Sequence, residues 1–255
     1  MKKTLFYLAL LSIFSLVYSC SNDKTSSNHS ESSMIQKGKT EKGKPVVKPV
    51  SNATTVPVRE KGFTYASIKT DYGTMVVKLY NSTPKHRDNF IKLANEHFYD
   101  GLLFHRIIPN FMIQGGDPKS KDAAAGVRLG SGGPGYTIDA EIGALHYKGA
   151  LAAARKGGPS NLAKKSSGSQ FYIVQGKPVT QAMLTSIEQR NGIKYTEDQR
   201  AKYLKVGGTP FLDNLYTVYG EITEGMDVLD KISAVKTDKS DRPLKDIKME
   251  ISIVK

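Results

Sequence analysis

The sequence contains no tryptophan, a single cysteine and only five histidines in 255 residues. One cysteine excludes a disulfide framework within the chain and a cysteine-cluster zinc site. The histidines show no HExxH or similar ligand spacing, so we expect no structural metal. The chain also lacks the GxxxxGK[ST] pattern of a phosphate-binding loop and the GxSxG pattern of a serine nucleophile.

The formal net charge of +13 comes from a diffuse excess of lysine and arginine over aspartate and glutamate. No aromatic RNA-binding motif, helix-turn-helix pattern or Cys/His finger accompanies this charge. The composition therefore predicts no nucleic-acid partner, although it favours a general attraction to anionic surfaces.

The first twenty residues have the pattern of an export signal. Lys2 and Lys3 precede an apolar run at residues 5–17, which is too short for a membrane-spanning helix of about 20 residues. The run leads into Val-Tyr-Ser-Cys, ending at Cys20, which resembles the bacterial lipobox. That resemblance implies a signal peptide at residues 1–19 and lipidation of Cys20; an ordinary signal peptide with an incidental cysteine is the alternative.

Residues 20–62 contain no aromatic side chain and are rich in Ser, Asn, Thr and Lys. Such a stretch buries too little apolar surface to offset the entropy of ordering, so we expect a flexible linker after the lipidated cysteine. A folded domain is predicted for residues 63–255, where aromatic residues and strand-like alternation begin together.

The domain reads mainly as β-strands with helices at defined places. Two strand-like runs meet at Asp71-Tyr72-Gly73, which predicts a hairpin, and Thr83-Pro84 opens an amphipathic helix. A second helix is expected near residues 226–232, and alternation from Ile247 to Ile253 predicts a final strand. A closed barrel plugged by helices fits this order.

Residues 180–208 interrupt the strand pattern with two short helical segments. Thr196 and Gln199 form a capping-box pattern at the start of the second segment, and Gly207-Gly208 ends it. We predict a helical hairpin inserted in the β domain, either as a packing element or as a lid that binds a partner.

Two other patterns resemble functional motifs but lack the sequence context that those motifs need. The GxGxxG match at residues 130–135 is followed by a turn into a strand rather than by a helix, so we interpret it as a loop. Asp139 and Glu141 could work as an acid–base pair, but neighbouring carboxylates are more often solvated surface groups.

The most informative segment is FHRIIPNFMIQGGD at residues 104–117, which places Arg106 in an apolar run. An arginine there needs a partner, since burying it unpaired is costly. The segment, with the blocks GSQFYI at residues 168–173 and FLD at residues 211–213, closely resembles the cyclophilin family of peptidyl-prolyl cis–trans isomerases. The resemblance runs from about Phe63 to the C-terminus. It implies a mainly β fold, namely a closed eight-stranded antiparallel β-barrel capped by two helices.

The resemblance also implies the site. Arg106 matches the catalytic arginine of the family. Gln114 and Gln170 match side chains that hold the substrate backbone. The remaining substrate-binding positions, which form the proline pocket, its rim and the adjoining groove, are Phe111, Met112, Ala154, Arg155, Tyr172, Phe211, Leu212 and Tyr216.

Four of these positions depart from the common family pattern. Phe211 stands in place of a tryptophan, Tyr172 in place of a phenylalanine, Tyr216 in place of a histidine and Arg155 in place of an asparagine. Members that bind cyclosporin tightly resemble one another in having that tryptophan, so we expect weak inhibition here.

The expected activity is isomerisation of X–Pro bonds during the folding of exported proteins, with proline-containing polypeptides as partners and with no cofactor. The alternative is a proline-binding chaperone or scaffold module in which catalysis is incidental. The expected isomerase activity and the lipobox together predict a monomer in the envelope of a Gram-negative-type bacterium, attached to the membrane through lipidated Cys20. Ser21, rather than Asp, follows the cysteine and favours the outer membrane, facing the periplasm.

Overall fold

The computed structural model describes residues 59–254. The predicted signal peptide, Cys20 and most of the predicted linker lie outside the described residues. The helices are α1 (Pro84–Asn95), α2 (Gln181–Asn191), α3 (Glu197–Val206) and α4 (Met226–Ser233). The strands are β1 (Thr64–Thr70), β2 (Gly73–Leu79), β3 (Arg106–Ile108), β4 (Met112–Gly115), β5 (Thr137–Ile138), β6 (Ala150–Ala153), β7 (Ser166–Ser167), β8 (Phe171–Val174), β9 (Val218–Glu224) and β10 (Glu250–Val254). Within this part of the chain no helix is both long enough and apolar enough to cross a membrane.

The predicted hairpin is present at the start of the domain. β1 and β2 pair antiparallel with Thr70 opposite Gly73, so the turn holds only Asp71 and Tyr72. Gly73 has φ of +127°, and a Cβ there would meet the Val228 side chain. β10 pairs with the other side of β1, which brings the last strand beside the first.

Eight strands form one curled antiparallel sheet in the order β10-β1-β2-β9-β6-β8-β4-β3, and β5 and β7 form a separate pair. The prediction of a closed barrel was wrong, because β3 and β10 do not pair as strands. β3 has only three residues, and the Ile107 amide donates to the carbonyl of Asp241, in the loop before β10. The edges meet only through an isolated bridge between Leu103 and Lys248 and a few backbone hydrogen bonds around it.

The concave face of the sheet holds the main core. Ile107, Ile113, Ile173 and Leu151 are fully buried and occupy neighbouring positions on β3, β4, β8 and β6. Both predicted capping helices pack on this core: α1 contributes Phe90, Leu93 and Ala94, and α4 contributes Val228, Leu229 and Ile232. At about 25 cal/mol per Å² of apolar area, burial of this set dominates the stability of the domain.

Helix α1 begins where the sequence predicts, with Pro84 in its first turn, but Thr83 makes no side-chain cap. The carboxylate of Glu141 takes that role. Its two oxygens accept from the backbone amides of Lys85 and His86 at 3.1 and 3.0 Å. A carboxylate at this end of a helix satisfies free amides and interacts favourably with the helix dipole.

The helical insert at residues 180–208 is present as α2 and α3. The Thr196–Gln199 capping box forms as predicted, with Thr196 Oγ1 accepting from the Gln199 amide. The insert has its own small apolar cluster, built on Leu184, Ile187, Tyr195 and Tyr203 with Leu145 and Val179 from the preceding loops.

Candidate functional site

A row of side chains crosses the convex face of the sheet. Arg106 on β3 pairs with Gln114 on β4, Gln114 with Tyr172 on β8, and Tyr172 with Ala152 on β6. Directly opposed residues of adjacent strands share a face, so these four lie in one line. Their sequence neighbours face the core, which explains how an arginine can stand in an apolar segment without entering the interior.

Three members of this row, Arg106, Gln114 and Tyr172, line a cavity of about 220 Å³. Most of its wall is apolar, and Arg106 and Gln114 supply polar groups at one side. Nine of the eleven predicted site residues line it: Arg106, Phe111, Met112, Gln114, Ala154, Arg155, Tyr172, Leu212 and Tyr216. The structure therefore brings nine of the eleven predicted residues together from four separate stretches of chain.

The other two predicted residues lie at the border of this cavity. Phe211 is 44% exposed, and its ring lies 5.7 Å from that of Phe111, so it forms a rim rather than a wall. Gln170 is buried and accepts a hydrogen bond from Gln114 Nε2 at 3.0 Å. Its own Nε2 donates to the carbonyl of Gly132 at 2.7 Å.

A second cavity of about 580 Å³ adjoins the first across Gln114 and Ala154. One side is the GxGxxG segment, which is a loop, as predicted. The buried carboxylate of Asp117 holds this loop by accepting from the amides of Gly130 and Gly132. Asp117 was not predicted from the sequence; a carboxylate directly after Gly115-Gly116 was the only local signal for it.

Arg106 is anchored at one point. Its side chain is 42% exposed, and its Nε donates to Asp241 Oδ2 at 3.3 Å. Within residues 59–254 this is the only hydrogen bond of the guanidinium, so both terminal nitrogens are unbonded in a side chain that lines the cavity. Asp241 adopts φ of +63° in the loop before β10, and the sequence carried no signal that it would reach Arg106.

Arg155 and Tyr216, two departures from the family pattern, form one wall together. The Arg155 guanidinium lies 4.6 Å from the centre of the Tyr216 ring, and its Nε donates to the carbonyl of Leu215 at 2.8 Å. The cation–π contact and the hydrogen bond to the carbonyl fix the arginine beside the tyrosine. Arg155 lines the cavity next to Tyr216.

Asp139 and Glu141 do not form an acid–base pair. Burial alone would raise the pKa of Glu141, but hydrogen bonds from the His86 side chain and from the helix amides lower it. Hydrogen bonds from Lys165 and Lys85 lower the pKa of Asp139. Two carboxylates that both favour the ionised form supply no general acid.

The family model of the cyclophilin type peptidyl-prolyl cis-trans isomerases matches residues 65–253. The chain belongs to the cyclophilin family. It is a cyclophilin-type peptidyl-prolyl cis–trans isomerase, and the recognition made from its three sequence blocks is confirmed.

Two bacterial proteins illustrate the similarity of this cyclophilin to its relatives. A Staphylococcus aureus (strain USA300) protein named for the same isomerase activity is 37% identical over 182 residues, which cover 71% of this chain and 86% of the relative. A Streptococcus pyogenes protein, named as a bifunctional phosphatase and isomerase, is 38% identical over 72% of this chain, but only 37% of that protein is covered.

Solved structures show the same fold. A Cryptosporidium parvum cyclophilin type isomerase is 26% identical, with a TM-score of 0.54 over 76% of this chain and 98% of its own. A second structure of that protein, determined in the presence of the dipeptide Ala-Pro, is 25% identical with a TM-score of 0.53.

Proposed function

We propose that this cyclophilin accelerates X–Pro isomerisation by binding the twisted amide more tightly than either planar form. The barrier of about 18–20 kcal/mol arises because rotation breaks amide resonance. No bond is cleaved, so the reaction needs no nucleophile, metal or cofactor. Stronger binding of the twisted state than of the ground states is sufficient to raise the rate.

Arg106 is the group that stabilises the twisted state. When resonance is lost, the prolyl nitrogen regains a lone pair, and a guanidinium N–H can donate to it. The observation that carries the proposal is the placement of Arg106: its Nε is held by Asp241, and its terminal nitrogens are free beside an apolar cavity.

The apolar wall holds the prolyl ring while the preceding carbonyl rotates. Met112, Tyr172 and Leu212 are each less than 10% exposed and line the cavity. Gln114 and Gln170 stand at the exit towards the second cavity, where a bound peptide backbone would pass. The Cryptosporidium parvum relative crystallised with Ala-Pro supports proline-containing peptides as the substrate class.

The test is an isomerisation assay on a short X–Pro peptide with the wild type, Arg106→Ala and Arg106→Lys. Loss of a charge-assisted donor in the transition state costs roughly 2–4 kcal/mol, so kcat/KM of Arg106→Ala should fall at least about 10-fold. Lysine should rescue poorly, because it lacks the planar donor fork.

Arg190→Ala is the matched control, since Arg190 is exposed on α2 and bonds only to Ser186 within the described residues. Its activity should equal that of the wild type. Equal turnover by wild type and Arg106→Ala would refute the mechanism. A wild type that binds the peptide without accelerating its isomerisation would instead support a binding module.

For the cellular role, we propose that the chain is exported, lipidated at Cys20 and attached to the cell envelope, where it acts on exported proteins. The support is the apolar run that ends in the lipobox-like triplet before the only cysteine. Uncatalysed isomerisation takes about 10–100 s, so exported chains with X–Pro bonds would benefit.

Mass spectrometry of the mature N-terminus tests this proposal. A lipidated Cys20 is expected, with the protein in the membrane fraction. Cys20→Ala should leave the protein unprocessed or release it, whereas Ser26→Ala, a control just downstream, should not. An unmodified N-terminus at another residue would overturn the lipoprotein assignment.

A further inference from the structure

A fully buried carboxylate joins the helical insert to the proline pocket. Asp213 is 0% exposed and accepts four hydrogen bonds. Oδ1 accepts from the backbone amide and from Nδ1 of His146, at 2.9 and 2.8 Å. Oδ2 accepts from the hydroxyls of Tyr195 and Tyr203, each at 2.7 Å. Tyr203 lies on α3 and Tyr195 just before it, so both come from the insert.

The chain of hydrogen bonds continues from His146 to the pocket. His146 is also 0% exposed, and its Nε2 lies 2.9 Å from the hydroxyl of Tyr172. A neutral imidazole has one donor and one acceptor nitrogen. In the neutral form of His146, Nδ1 carries the proton, since it faces a carboxylate, which only accepts, and Nε2 then accepts from the Tyr172 hydroxyl.

Each group in this series of hydrogen bonds depends on the next group for its partner. Tyr172 is 5% exposed in an apolar wall, and a buried hydroxyl without a partner is costly. The hydroxyl has an acceptor only while His146 keeps this tautomer. The tautomer depends on Asp213, and Asp213 is fully paired only while the two insert tyrosines donate to it.

The same residues adjoin the pocket wall. Asp213 follows Leu212, which lines the cavity, and Phe211, which forms its rim. Directly after the insert, the amide of Thr209 donates to the carbonyl of His146 at 2.9 Å. The His146 and Tyr172 rings are nearly parallel, at 9°, with their centres 6.1 Å apart.

We propose that Tyr195, Tyr203, Asp213 and His146 are positioning residues that orient Tyr172, so that the helical insert sets the affinity of the pocket for the prolyl ring. This inference rests on the proposed function, because it concerns the same pocket. It assigns the insert a role in substrate binding rather than only in packing. None of the four touches the substrate; they act through the wall that does.

The test removes single oxygen atoms and keeps the rings. Tyr195→Phe, Tyr203→Phe and the double variant should be compared with the wild type at a temperature at which circular dichroism shows all to be folded. KM for the X–Pro peptide should rise about 3- to 10-fold in the double variant, while kcat changes less than twofold. The Kd of an Ala-Pro peptide, from NMR titration, should rise by the same factor.

Tyr147→Phe is the matched control. The Tyr147 ring packs 4.4 Å from that of Tyr203, but its hydroxyl faces the Gln199 carbonyl at 3.4 Å and not Asp213. Its KM and Kd should stay at the wild-type values. A similar rise in this variant would show that loosened packing, rather than the hydrogen-bond chain, is responsible, and would overturn the proposal.

Two further readouts separate positioning from stability. The ring ¹⁵N shifts of His146 should move in the double variant, because the proton on Nδ1 loses part of its carboxylate partner. In a Tyr172→Phe background, the insert substitutions should change Kd less than twofold, because the hydrogen bond between Tyr172 and His146 is already absent. The inference would be refuted if the insert substitutions raised Kd by the same factor with and without Tyr172→Phe. An unchanged Kd in the folded double variant would also refute it.

The peptide Kd also distinguishes this inference from the proposed function. If the wild type binds Ala-Pro but does not accelerate isomerisation, the catalytic proposal fails. The Kd series would still decide whether the insert positions the pocket.

Discussion

The two faces of the curled sheet use the same strands for different purposes. On the concave side, Ile107, Ile113, Ile173 and Leu151 are fully buried and apolar. On the convex side, one residue away along each strand, Arg106, Gln114, Tyr172 and Ala152 form a line that ends in the half-exposed arginine. Side chains alternate across a strand, so a single residue step separates the core from the site.

The difference teaches that stability and activity should respond to different substitutions. The concave face is closed by α1 and α4, so a change there leaves a cavity that nothing fills. The convex face opens onto solvent at Arg106 and Phe211, so a change there alters what the groove can hold.

The largest expected contrast is between the neighbours Ile113 and Met112. Ile113→Ala should cost about 2–5 kcal/mol of unfolding free energy, as buried Ile-to-Ala changes do, with kcat/KM of the folded protein unchanged. Met112→Ala should destabilise less, because the space opens towards the groove, but should raise KM. Thermal melts and peptide kinetics check both; the reverse pattern would contradict the two-face comparison.

A second contrast is between neighbouring residues at the start of β3: His105 is buried, whereas Arg106 is half-exposed. Burial lowers the pKa of His105 to about 4. The unfolded chain, with a pKa near 6.5, therefore binds more protons between about pH 4 and 6.5, and wild-type stability should fall as pH drops through this window. The loss amounts to about 3 kcal/mol, at 1.36 kcal/mol per pKa unit.

The difference in unfolding free energy between wild type and His105→Gln, followed from pH 7 to pH 4 by urea denaturation, isolates this contribution. Glu141 and His86, which also have lowered pKa values, titrate in both proteins and cancel. A difference that is independent of pH would contradict the assignment.

A smaller effect is expected at the rim. Phe211 has no hydrogen-bond donor, and one hydrogen bond contributes about 0.5–1.5 kcal/mol net. Phe211→Trp should therefore tighten cyclosporin binding about 2- to 10-fold, from a weak starting affinity. Phe63→Trp, at a ring that lies over Lys78 instead, should not. Titration calorimetry decides; tight binding by the wild type would mean that the rim is assigned to the wrong residue.

The smallest effect is expected at the anchor of Arg106. Both side chains of the Arg106–Asp241 ion pair are 42% exposed, so the pair contributes at most about 1 kcal/mol to holding Arg106 in place. Asp241→Asn, which tolerates the positive φ, should lower kcat by up to about 5-fold. Asp122→Asn is the control, since Asp122 also has positive φ and pairs with an exposed lysine, Lys248. An unchanged kcat in Asp241→Asn would show that Arg106 orients without this partner.

Much of the fold could be predicted because its signals are local. The β1–β2 hairpin, both capping helices and the capping box at Thr196 depend on residues within a few positions of one another. Closure of the barrel could not be predicted locally. It depends on whether β3 and β10 overlap, and the loop through Asp241 occupies the free edge of β3 instead.

By itself, the sequence determined the family, the candidate pocket residues and the position of the insert, since each is recognised from short stretches of consecutive residues. Only the tertiary structure decided which charged and polar groups meet. Arg106 and Asp241 are 135 residues apart, and His146 and Asp213 are 67 apart. A buried carboxylate or hydroxyl must find a partner wherever the chain brings one, and strand order and loop path, rather than local pattern, set that distance.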